Sequence, residues 1–142
     1  MNPLVHKTLV VQLSAEGTER CPVLAHLSYD ADDPFAVTAV FGHDGHVLAQ
    51  WRLDREMLQD GLTRPVGIGD VRLRPVATGP WRELRIEFLG DFRPDGSRHH
   101  AVVSAWAPAI AAFLRETREL VPPGREQVRV DAFLAEILSR AE

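Results

Sequence analysis

The chain has 142 residues, 45% of them apolar, enough to bury one core, so the expectation is one domain over 1–142. Sixteen basic residues against twenty acidic ones leave a formal charge of −4. That is the wrong sign for a protein that neutralises duplex phosphates or lies on an anionic membrane.

Met1 to Lys7 hold no charged segment followed by an apolar stretch, and no apolar run approaches the ~20 residues of a membrane span, so neither export nor insertion is expected. Val5, Leu9, Val11 and Leu13 share one face of a period-two pattern, which predicts a first strand. After a loop from Ser14 to Arg20, Cys21, Val23, Ala25, Leu27 and Tyr29 alternate as its antiparallel partner. Cys21 is the only cysteine, which excludes an intrachain disulfide and fits a reducing cytosol; its thiol is expected as a small buried apolar group. Asp30 to Pro34 breaks the alternation. Phe35, Val37, Ala39 and Phe41 then give a third strand, and Val47, Ala49, Trp51 and Leu53 a fourth, with the Asp44-Gly45 hairpin signal between them. Asp54 caps a short helix with Met57 and Leu58 on its apolar side, and Gly61 is placed to stop it.

Val71 and Leu73 form a fifth strand that ends at Pro75. Leu84, Ile86 and Phe88 form a sixth, and a seventh runs near His99 to Ser104 after the Pro94-Asp95-Gly96 turn. Trp106, Ile110, Phe113, Leu114 and Thr117 recur at helical spacing, predicting a main helix from Ala107 to Leu120 with Pro108 in its first turn. Val121-Pro122-Pro123-Gly124 ends it, and Asp131 caps a last amphipathic helix carrying Phe133, Leu134, Ile137 and Leu138. The reading is therefore α+β: antiparallel strands, a short helix and two C-terminal helices folded back on the sheet.

No pattern of residues supplies a catalytic set. Asp30, Asp32 and Asp33 resemble the start of a calcium loop, but Phe35 and Phe41 stand where that loop needs glycine and a bidentate glutamate, so a solvated turn is expected. His43, His46, His99 and His100 lack metal-ligand spacing, and no serine sits in a nucleophile elbow. Gly67-Ile68-Gly69-Asp70 leads into a strand rather than a helix, so it reads as a tight turn and not a dinucleotide fingerprint. Catalytic residues, metal and cofactor are expected to be absent. Arginines at 52, 55, 64, 72, 74, 82 and 85 concentrate charge in the middle third, but acidic neighbours are interleaved with them, so they read as a solvated or protein-binding face. Trp51, Trp81 and Trp106 are read as core or sheet residues, with Trp81, beside a turn, also suited to an interface.

Several stretches in order along the chain carry a resemblance. They are Leu27-Ser28-Tyr29-Asp30 leading to Asp33-Pro34-Phe35-Ala36-Val37; Trp51-Arg52-Leu53 to Arg55; Leu58 to Gly61-Leu62; Arg64-Pro65-Val66-Gly67-Ile68-Gly69-Asp70-Val71-Arg72; Ala107-Pro108; Phe113-Leu114; and Val121-Pro122-Pro123-Gly124. In these the chain resembles the SsgA-like family of actinomycetes, which controls sporulation-specific cell division, and it is most similar to the SsgB branch. The resemblance implies a barrel-like pair of antiparallel sheets similar to the Whirly scaffold, and often a trimer. It implies a non-enzymatic role in the cytoplasm at the division septum, recruiting the tubulin-like protein FtsZ with SsgA-type partners.

An adaptor of this kind is expected to use loops with specific turn chemistry: Asp30, Asp33 and Pro34; Arg64, Pro65, Gly67, Gly69 and Asp70; and Pro122, Pro123 and Gly124. The alternative is single-stranded nucleic-acid binding on the sheet, with Trp51 or Trp81 as stacking platforms among the arginines. Charge makes nucleic acid the less favoured partner.

Overall fold

The computed structural model describes residues 4–15 and 19–126. Among these residues, eight strands, β1 (Leu4–Ala15), β2 (Cys21–Asp30), β3 (Ala36–His43), β4 (His46–Asp54), β5 (Val66–Ile68), β6 (Val71–Thr78), β7 (Trp81–Phe92) and β8 (Arg98–Trp106), join two helices, α1 (Arg55–Gly61) and α2 (Ala107–Leu120). The expected last helix from Asp131 lies outside the described residues.

The strands form one antiparallel sheet in the order β4-β3-β2-β1-β8-β7-β6-β5, rather than the expected pair of sheets. Each expected hairpin supplies its own turn. Asp44 and Gly45 both take positive φ, as the type I′ turn between β3 and β4 requires, and His43 pairs with His46 across it. Beyond these turns the sheet curls. Trp51 on β4 packs against Phe88 of β7 with ring centroids 4.5 Å apart, although five strand spacings would hold them ~24 Å apart in a flat sheet. The result is a half-barrel, with α2 lying across β1, β7 and β8, and α1 bridging the two edges through β4, β5 and β6.

The core lines the inside of the curl. Val23, Ala25, Leu27 and Tyr29 from β2, Val37, Ala39 and Phe41 from β3, and Leu84, Ile86 and Phe88 from β7 are buried against Ile110, Phe113 and Leu114 of α2. These are the faces that period two and period 3.6 pick out.

Several expectations are corrected. Cys21 is exposed, because it opens β2 at the rim of the sheet. Phe35 precedes β3 and is 47% exposed. A bulge after Phe41 pairs Gly42 with Val47, so Val47 changes face and stands outside, 70% exposed. A short strand, β5, precedes the Gly69 turn. β6 also runs through Pro75 to Thr78, since Pro75 sits beyond the end of β5 and its missing N–H costs no ladder bond. Gly61 is the last residue of α1, and its role is close approach: a Cβ there would lie 2.8 Å from Leu73 Cβ. Trp81 and Trp106 are half exposed and stack on each other outside the core, whereas Trp51 is partly buried against it.

Candidate functional site

At the junction of β4 and α1, Asp54 accepts a hydrogen bond from the Met57 amide at 2.8 Å and so caps α1. The next residue, Arg55, is buried. Its amide donates to the Phe35 carbonyl at 2.8 Å, which ties the helix start to the loop before β3. Its guanidinium donates to the carbonyls of Thr117 at 3.1 Å and Val121 at 2.8 Å, and to Glu126 Oε1 at 2.7 Å. The Thr117 carbonyl also accepts the Val121 amide at 2.9 Å, and the Arg55 cation meets the partial negative charge that gathers at the helix end. Arg55 thereby fixes the direction in which the chain leaves α2.

The guanidinium also lies 5.1 Å from the centroid of the Tyr29 ring. Burial raises the Tyr29 pKa, with Arg55 acting in opposition, and the neutral hydroxyl donates to the Pro34 carbonyl at 2.9 Å. Glu126 is held below the usual glutamate range by its own backbone amide and by Arg55, and it also accepts the Gly124 amide at 2.8 Å. Gly124 adopts φ +85°, a conformation glycine takes without the Cβ penalty.

These contacts frame a cleft of about 470 Å³ between the loop before β3, α1 and the exit of α2. Phe35, Leu114, Pro123 and Gly124 are among its lining residues. Asp54, Glu56, Asp60 and Glu126 make the rim acidic, while Arg118, which donates to Gln59 Oε1 at 2.7 Å, adds a cation. An exposed aromatic beside carboxylates suits a protein segment carrying apolar and basic side chains. Among the described residues no group of three His, Cys, Asp or Glu side chains is placed to hold a metal ion. No helix among them is long and apolar enough to cross a membrane.

The expected loops divide between two places. Phe35, the residue after the Asp30–Pro34 turn, lines the cleft, as do Pro123 and Gly124, whereas Asp30, Asp33, Pro34 and Pro122 are not among its lining residues. Within the turn, the Asp33 amide donates to the Asp30 carbonyl at 2.9 Å, the Asp32 amide donates to Asp30 Oδ1 at 2.8 Å, and Asp33 pairs with Arg52. Pro34 is buried. The other group, Arg64, Pro65, Gly67, Gly69 and Asp70, lies beyond α1. Arg64 pairs with Asp60 at 3.1 Å, and Asp70 pairs with Arg98 at 2.7 Å while its carbonyl accepts the Leu89 amide. By sequence Arg55 is one charge of a surface face; its role depends on contacts 62 to 71 residues away, which no local pattern reveals.

Comparison with known proteins places this geometry in context. The profile of a family described as Streptomyces sporulation and cell division protein, SsgA, matches residues 23–126. A sporulation-specific cell division protein SsgB from Saccharopolyspora erythraea is 39% identical over 138 residues, covering 94% of this chain and 92% of the relative. The SsgB of Kineococcus radiotolerans is 40% identical over 84% of this chain and 68% of its own. Among solved structures, an SsgA-like sporulation-specific cell division protein from Thermobifida fusca superposes with a TM-score of 0.81 at 33% identity, covering 95% of this chain and 96% of that one.

Proposed function

This chain belongs to the SsgA family, a family of cell-division regulators and not of enzymes, and from that membership we propose that it is a non-enzymatic regulator of sporulation-specific cell division. In this reading it recruits FtsZ to future septum sites, acting with SsgA-type partners, in the cytoplasm and as a homo-oligomer, a trimer in the simplest case. The observation that carries the reading is the match to relatives named SsgB, which extends along 94% of the chain. The cleft around Arg55 is the docking surface: Phe35 is its apolar anchor, Glu56 attracts basic side chains, and Pro123 and Gly124 complete its lining. Arg64, which pairs with Asp60, flanks the same helix.

Nucleic-acid binding on the sheet loses support from Trp51, whose ring packs on Phe88 at 4.5 Å and is not free to stack on a base. Sedimentation of the purified chain, alone and with FtsZ and GTP, tests the proposal. A trimer that pellets with FtsZ polymer supports it; a chain that stays in the supernatant at saturating FtsZ overturns the recruitment reading.

A further inference from the structure

The outer face of β6, β7 and β8 carries a second feature that the cleft does not use. On this face Trp81 and Trp106 stack with their rings 6.1 Å apart and 19° from parallel, and remain 52% and 49% exposed. Beneath them Glu83 is buried; it accepts Trp81 Nε1 at 3.3 Å and pairs with Arg85 at 2.8 Å and Arg20 at 3.4 Å. A buried carboxylate with three donors orients the indole in advance, so little side-chain entropy remains to be lost when a partner covers it.

Beside the tryptophans the face is basic. Arg74 lies directly across from Arg85, and Arg72 across from Glu87. The carboxylates of the face are already occupied, Glu83 as above and Glu87 facing His100 at 3.5 Å. The side chains of Arg72 and Arg74 are exposed. They form no ion pair with a described residue.

From this we propose that the outer face of β6–β8 is a second docking surface, for an extended acidic segment of a partner protein that carries an apolar side chain. The Trp81–Trp106 pair receives the apolar group, and Arg72 and Arg74 take its carboxylates. Two features favour a peptide over a nucleic-acid strand: Glu83 and Glu87 interrupt the arginines where a phosphate track needs unbroken positive charge, and the chain as a whole carries −4. The proposal is independent of the cleft and of the identity of its partner.

The test is a proton–nitrogen correlation titration of the full chain, whose three tryptophans each give a separate indole signal. The probe is a short synthetic peptide of alternating Glu and Leu, run beside an Arg–Leu peptide and oligothymidylate. The Glu–Leu peptide is expected to shift the Trp81 and Trp106 indole signals to saturation and leave Trp51 in place. In the R72E/R74E variant its affinity drops about tenfold or more, while the dispersion of the backbone signals reports an intact fold. Indole signals that do not move, a titration unchanged in R72E/R74E, or oligothymidylate that saturates the same indoles more tightly than the peptide would each overturn the proposal.

Discussion

A guanidinium whose side chain is 6% exposed, facing two helix-end carbonyls and a carboxylate, is stable only while those acceptors are present. Truncating Arg55 to Ala removes the cation and leaves the Thr117 and Val121 carbonyls without it, and a cost of about 3 kcal/mol is expected. Urea unfolding followed by circular dichroism checks this through a lower midpoint. At Gly124 only the backbone resists a side chain: a Cβ added there would meet nothing within 4 Å, yet φ is +85°. Gly124→Ala is therefore expected to cost only ~1 kcal/mol, read in the same assay. Glu83 makes a pH prediction. Burial opposes its charge, but Arg85, Trp81 and Arg20 together outweigh that and hold its pKa below the ordinary 4.5. As pH falls the unfolded chain takes up the proton first. The stabilisation is thus complete above the unfolded value and disappears as pH drops through the lower native one. The melting-temperature advantage of the wild type over Glu83→Gln is expected to shrink between about pH 6 and pH 3 by this linkage.

At the scale of elements, α1 joins the sheet edges under tight constraints. Gly61→Ala places a Cβ 2.8 Å from Leu73 Cβ, so overpacking of about 1–3 kcal/mol is expected; Asp54→Ala removes the cap at a cost of ~1 kcal/mol. Both are measurable by denaturant unfolding. The same elements explain which parts of the fold are legible in the sequence. α2 is legible from Ala107 to Leu120, and the β3–β4 hairpin from Asp44-Gly45, because helical periodicity, an N-terminal proline and a type I′ turn are all local chemistry. β5 is not, since three residues are too few to show alternation. The outward turn of Val47 follows from a bulge, which shifts register without a marker in the residues themselves. At the candidate site, turn chemistry points to Pro123 and Gly124 and to the turn beside Phe35, but not to Arg55, whose amide meets the Phe35 carbonyl and whose guanidinium meets the Val121 carbonyl. An arginine in an interleaved charged stretch looks like a surface residue until the curl of the sheet brings α2 over it.

Across the whole molecule, one curled sheet gives the protein an inside filled by α2 and a chemically divided exterior. The acidic cleft lies at the end of the half-barrel where α1 meets the exit of α2; the basic, tryptophan-bearing face lies on the outside of β6–β8. Such a division suits an adaptor that contacts more than one protein, and the two surfaces are separable by mutation because they share no residue. Co-sedimentation with FtsZ polymer of the wild type, a Phe35→Ala/Glu56→Lys variant of the cleft and the R72E/R74E variant of the sheet face distinguishes the two surfaces. The wild type and R72E/R74E are expected to pellet with FtsZ, and Phe35→Ala/Glu56→Lys, folded by circular dichroism, to stay in solution. A cleft variant that pellets as completely as the wild type would contradict the docking role of the cleft.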